Sequence, residues 1–104
     1  MGLTVLIEQD LSEVGLTLFF EDNRESWKDL ARQAYDFTLE TYPDGATIRH
    51  DDVAKQLSPV LAVNTQLGDF LKSNKIRGRH WIDDFCAYVL EMTWAEIQPQ
   101  KEGD

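Results

Sequence analysis

His80-Trp81-Ile82-Asp83-Asp84-Phe85-Cys86-Ala87-Tyr88-Val89-Leu90-Glu91-Met92-Thr93-Trp94-Ala95-Glu96-Ile97 is the stretch around which the rest of the chain has to be arranged. At about 100° per residue, Trp81, Phe85, Tyr88, Val89 and Met92 fall on one side of a helix, and Ile82, Cys86, Leu90, Trp94 and Ile97 carry the apolar surface past a half-turn. Only Asp84, Ala87 and Glu91 make a wet strip. An ordinary surface helix needs an apolar stripe a little over ~100° wide. A helix apolar over roughly two-thirds of its circumference must be covered by several other elements, so we expect it near the centre of the fold.

Immediately before it, Lys72-Ser73-Asn74-Lys75-Ile76-Arg77-Gly78-Arg79-His80 holds four cations and a histidine, with no acid from Phe70 to Ile82. Asn74 and Gly78 are the expected turn points. Cations that follow a helix favour its negative end, which alone explains a basic connection between two helices. The sharper reading is an anion site for phosphate, nucleic-acid backbone or an acidic patch on a partner. Lys72, Lys75, Arg77, Arg79 and His80 would build it, with the two arginines making forked contacts.

Upstream, Asp51-Asp52-Val53-Ala54-Lys55-Gln56-Leu57 opens a helix on which Val53, Ala54, Leu57, Val60 and Leu61 share a face. Ser58-Pro59 leaves two readings. Either this helix stops near Ser58, a turn covers Pro59 to Asn64 and a second helix runs from Thr65 to Ser73, or Ser58 caps and Pro59 takes the first position of one helix reaching Ser73. The order helix, short extended piece (Ala46 to Arg49), helix, helix, basic connection resembles helix-turn-helix and winged-helix domains over about residues 25–80. That resemblance implies a second helix entering the DNA major groove with Thr65, Gln66, Asp69, Lys72 and Ser73 outward. Asp69 in the middle of that face, and Asp51 and Asp52 at the preceding helix start, oppose a phosphate-facing surface. Phosphate contacts from Lys72, Lys75, Arg77 and Arg79 would give a log–log salt slope of about −3.6, which is weak for a monomer. A homodimer would double them, with Phe19, Phe20, Phe37 and Trp94 as candidates for its seam.

Toward the N-terminus, Asp22 or Asn23 offers a side-chain oxygen to start a helix on which Trp27, Leu30, Ala31, Ala34 and Leu39 recur, ending at Tyr42-Pro43-Asp44-Gly45. Before it stand two β-prone runs, Leu3-Thr4-Val5-Leu6-Ile7-Glu8 and Leu16-Thr17-Leu18-Phe19-Phe20-Glu21, which suggest a hairpin across a Gln9 to Gly15 loop. Alternatively, Asp10-Leu11-Ser12-Glu13-Val14 opens a helical turn and one strand remains. The expected fold is α+β and mostly α: an N-terminal β-hairpin packed on a helix-turn-helix or winged-helix-like bundle around the central C-terminal helix. Residues 1–97 would form a single domain and 98–104 a disordered polar tail.

Composition bounds the function. The 104 residues are 42% hydrophobic, enough for a packed core without staples. With no run of ~18 apolar residues and no signal-peptide layout, the expected location is cytoplasmic, with no membrane partner. Cys86 is the only cysteine, which rules out an intrachain disulfide and a four-cysteine zinc site; it reads as a small buried apolar group. The net charge of −9 is uneven: residues 1–44 carry ten acids against three bases, and residues 70–82 carry four bases and no acid. His50, His80, Cys86 and the pairs Asp51-Asp52 and Asp83-Asp84 are the groups that could do chemistry. No nucleophile motif, phosphate loop or metal-spaced cluster surrounds them, and acids in the first turn of a helix explain Asp83 and Asp84. We therefore expect no catalysis, cofactor or metal. The expected function is a non-enzymatic binding or regulatory module that docks on another protein through an acidic face, Glu21, Asp22, Glu25 and Asp29, and through the basic island. The alternative is a dimeric helix-turn-helix DNA-binding regulator.

Overall fold

A computed structural model describes residues 10–42, 47–78 and 80–98. A helical turn at residues 10–13 leads into α1 (Leu16–Asp22), α2 (Arg24–Thr41), α3 (His50–Ala62), α4 (Thr65–Ser73) and α5 (His80–Ile97), with no strand among the described residues. The expected hairpin is therefore corrected. Its second run, Leu16 to Glu21, is α1; its first run, Leu3 to Glu8, lies outside the described residues, as does the expected tail from Pro99 onward. Spacing explains the difference. A strand would turn Leu16, Leu18 and Phe20 to one face, but Leu16 and Phe20 are fully buried while Leu18 between them is 70% exposed. That is the period of a helix. Gly15, with φ of 85°, supplies the left-handed entry to α1 that a side chain would strain. The described residues build an all-helical fold, and the winged-helix likeness falls with the hairpin, because a wing is itself made of strands.

Asn23 joins α1 to α2: its N–H donates to the Phe20 carbonyl and its own carbonyl accepts from Trp27. No side chain caps α2, contrary to the capping expected of Asp22 or Asn23: Asp22 is still the last residue of α1, and Asn23 stands at the cap position without a side-chain bond to it. α2 buries Trp27, Ala31, Ala34, Tyr35 and Thr38, whereas Leu39, one residue past that face, is exposed. Its end is tied to α3 by one carboxylate. The Tyr42 hydroxyl donates to Asp52, whose other oxygen accepts the Arg49 N–H at 2.9 Å.

Of the two readings of Ser58-Pro59, the two-helix one holds, with the first helix ending at Ala62 and not near Ser58. Pro59 sits inside α3 on an exposed position. The backbone bond it forgoes would have reached the Lys55 carbonyl, and Lys55 also faces water, the side of a helix on which solvent can satisfy a freed carbonyl. Val63 and Asn64 make the turn, and the Asn64 side chain caps α4 by accepting the Leu67 N–H at 2.8 Å.

α5 lies against both α2 and α3. It buries Phe85, Cys86, Tyr88, Val89, Leu90, Thr93 and Ile97, so its covered surface is as broad as its sequence demands. The Phe85 ring meets Trp27 edge-on at 5.2 Å and Phe19 and Phe20 at 6.0 and 6.5 Å; Phe20 also meets Tyr88 at 5.3 Å. The buried threonine hydroxyls stay within their own helices, Thr38 donating to the Ala34 carbonyl and Thr93 to the Val89 carbonyl. Two positions depart from the simple wheel. Met92, on the expected apolar side, is exposed, and Asp84, in the expected wet strip, is half-buried.

Candidate functional site

The outer surface of α2 is organised into parallel bands. Arg24, Lys28 and Arg32, each four residues apart, converge on the last turns of α5. Arg24 donates to the Glu96 carboxylate and, at 3.2 Å, to the Met92 carbonyl; Lys28 reaches the same carboxylate at 3.4 Å and Arg32 donates to the Glu96 carbonyl at 3.0 Å. Cations placed here meet carbonyls at the negative end of a helix that has no base in its own last turn. All three bases of residues 1–44 are thereby engaged in holding α2 against α5.

The hydrogen bond from Arg24, with a further one from Lys28, holds the Glu96 carboxyl down at about 2, from an ordinary value of 4.5. Asp52 is also lowered, chiefly by the Tyr42 hydroxyl and then by the Arg49 N–H. A carboxyl whose folded pKa lies below its unfolded one favours folding fully above the unfolded value and loses that contribution as pH falls through the folded value. Stability to urea should therefore decline as pH is lowered from 4.5 toward 2, and Glu96→Gln should flatten that decline. An unchanged pH slope in Glu96→Gln would show that the cluster is not formed. Asp84 works in the opposite sense, since burial raises its carboxyl and favours the protonated folded form.

With those cations engaged, the next band of α2 is purely acidic. Glu25, Asp29, Asp36 and Glu40 fall within about 60° of one another at about 100° per residue. All four are exposed. Glu25 pairs with Lys28 at 2.9 Å, whereas Asp29, Asp36 and Glu40 meet no cation among the described residues. Glu21 and Asp22, at the end of α1, join Glu25 around a shallow hollow of about 310 Å³ that Asn23, Arg24 and Ser26 complete. The acidic residues expected from the sequence, Glu21, Asp22, Glu25 and Asp29, thus lie in one stretch of surface across the α1–α2 joint. Asp36 and Glu40 extend it. The spacing of four, seven and four along one helix could have revealed them.

Past the acidic band comes an apolar one. Leu30, Gln33, Ala34 and Phe37 of α2 face Gln56 and Val60 of α3 across a groove of about 190 Å³. Phe37 is 55% exposed and Val60 42%.

The basic island is exposed where it is described. Lys72, Lys75, Arg77 and His80 all face water and none pairs with a carboxylate among the described residues; Arg79 lies outside them. The chain leaves α4 through two backbone bonds, Ile76 N–H to the Leu71 carbonyl and Lys75 N–H to the Lys72 carbonyl. This closure requires a left-handed residue, usually glycine, at the position occupied by Lys75, whose φ is 57°. A lysine there costs about 1 kcal/mol. Gly78, with φ of 116°, takes a backbone conformation that a side chain would strain, and an added Cβ would also displace the exposed His80 ring 2.9 Å away. The outward residues of α4 named by the helix-turn-helix likeness, Thr65, Gln66, Asp69, Lys72 and Ser73, are all exposed.

The groups that could do chemistry are dispersed. His80 packs its ring on Trp81, Asp83 accepts from Ser58 Oγ at 3.0 Å, and His50 lies against Trp94 with Glu91 3.9 Å from its Nδ1. Burial pushes the Cys86 thiol up to about 12, which removes it as a nucleophile. No cluster of three metal-ligating side chains occurs among the described residues, and no helix among them is long and apolar enough to cross a membrane. Comparison with known protein families, with curated proteins and with solved structures gave no match.

Proposed function

We propose that the protein is a non-enzymatic docking module whose acidic face, Glu21, Asp22, Glu25, Asp29, Asp36 and Glu40, binds a basic surface on another protein. The observation that carries this reading is Glu40. Acids at the start of a helix are explained by its positive end, but Glu40 stands in the last turn of α2, where the helix end is negative and no base accompanies it. Like charges four apart, as at Glu25 and Asp29 and again at Asp36 and Glu40, oppose the helix by about 0.2–0.5 kcal/mol per pair. A solvated surface gains nothing from that arrangement, whereas a partner of opposite charge relieves it and is steered toward it. Lys72, Lys75 and Arg77 form a second contact region, of opposite sign, on the same module.

The test uses the full chain as bait in a cell lysate at low salt, beside a variant carrying Glu21→Gln, Asp22→Asn, Asp29→Asn, Asp36→Asn and Glu40→Gln. Wild type should retain a basic protein that rising salt releases, because exposed charges are screened beyond ~8 Å at physiological ionic strength. The variant should recover at least tenfold less of it. An empty capture, salt-independent retention or equal recovery by the variant would refute the proposal.

A further inference from the structure

We infer that the groove between α2 and α3 receives the apolar stripe of a short, lysine- or arginine-rich amphipathic helix from that partner. The inference deepens the docking reading and rests on it. Leu30 and Phe37 are seven residues apart, so the α2 wall of the groove is about 10 Å long, two helical turns. That is the length over which a docking helix presents anchors at positions i, i+4 and i+7. At about 190 Å³ the groove is smaller than the ~300–1,000 Å³ of sites that enclose a small-molecule ligand. It has room for apolar side chains inserted from outside, and Gln33 and Gln56 on opposite walls offer amides to the backbone or polar flank of whatever carries them. Val63, one turn beyond Val60 and 81% exposed, prolongs the apolar path.

Charge selects among occupants. Gln33 separates the groove from the acidic stripe, so a helix lying in the groove has one flank beside Asp29, Asp36 and Glu40, carboxylates that no cation among the described residues pairs with. Lysine or arginine on that flank would complement them. A second copy of this chain would bring two acidic stripes together in a molecule of net charge −9, which disfavours self-pairing here. An added strand finds no sheet edge among the described residues. On the α3 side the exposed flank carries Lys55 and Pro59, so the complementary bases belong on one edge of the partner helix only.

Three synthetic 16-residue probes separate the outcomes in fluorescence anisotropy against the full chain. One carries leucines at i, i+4, i+7 and i+11 with lysines on one flank, the second has the same composition scrambled to destroy the stripe, and the third has glutamates for lysines. The striped basic probe should bind, and the scrambled and acidic probes should bind at least tenfold more weakly. Val60→Asp should weaken binding of the striped probe at least tenfold, and Leu18→Asp, on an exposed side chain of α1 outside the groove, should leave it unchanged. Backbone amide shifts of the wild-type chain should move at Leu30, Phe37 and Val60 on addition of that probe, which keeps the test independent of how Val60→Asp folds. Equal binding of the striped and scrambled basic probes, or shifts confined elsewhere, would overturn the groove while leaving the acidic face as a docking surface. Equal binding of the acidic probe would overturn the part assigned to the carboxylates. Failure of both basic probes would overturn the groove and the docking reading together. A concentration-dependent dimer abolished by Val60→Asp would assign the groove to a second copy and refute the inference.

Discussion

Replacing Phe85 by Ala should lower the unfolding free energy by about 3–5 kcal/mol. The ring is fully buried on α5 and is bounded by Trp27, Phe19 and Phe20, which come from two different helices and cannot all collapse into the space it leaves. Domains of this size are stable by about 5–15 kcal/mol, so the loss is a large fraction of the total. Met92→Ala, on the same helix at a position 40% exposed, should cost under about 1 kcal/mol. Urea titrations give both values: the midpoint should fall steeply for Phe85→Ala with little change in slope, and hardly at all for Met92→Ala. Equal losses at the two positions would mean that α5 is rotated about its axis relative to the arrangement described.

The second large effect separates helix from strand at the N-terminal side. Leu16→Ala should cost about 2–5 kcal/mol and Phe20→Ala about 3–5, while Leu18→Ala should stay within about 0.5 kcal/mol. Leu16 and Phe20 are buried on one face of α1, and Leu18 points into water. A strand with the same residues would place all three on one face and make the three substitutions comparable. The alternation of the measured losses along the segment therefore reports its backbone period directly.

What could be read before folding was known follows from how far each signal reaches along the chain. α5 was legible because its apolar arc is too broad for any surface helix, and that conclusion survives the misplacement of single residues such as Met92. The run Leu16 to Phe20 was not, because five consecutive apolar or β-branched residues satisfy a period of two and a period of 3.6 equally well. Only the neighbours that cover Leu16 and Phe20 and leave Leu18 bare decide between them. Pro59 misled for a related reason: its missing bond is tolerable when that side of the helix is wet, which is a property of the packed molecule. The Lys72 to His80 elbow was recognisable as a charged connection that turns at Asn74 and Gly78, but turn propensity does not announce the left-handed backbone of Lys75 between them.

For the candidate site the same distinction holds. The four-residue spacing of Arg24, Lys28 and Arg32 marks a column of charge on one helix, yet its target, Glu96, lies 72 residues from Arg24. Without that target, the bases appear available to neutralise the neighbouring acids. Once they are turned toward α5, Asp29, Asp36 and Glu40 are left as an uncompensated stripe, and an ordinary acidic composition becomes a directed surface. The groove beside it depends on α3 supplying Val60 and Gln56 at the right height, which no local pattern announces.

Native-state hydrogen exchange of the backbone amides from Phe85 to Leu90 bears most directly on the claim that α5 is the enclosed axis on which α2 and α3 are mounted. These amides should be among the slowest in the molecule and should exchange only through global unfolding, with an exchange free energy equal to that from urea titration. Exchange through local opening several kcal/mol below the global value, at the level of the exposed α4 segment, would contradict it.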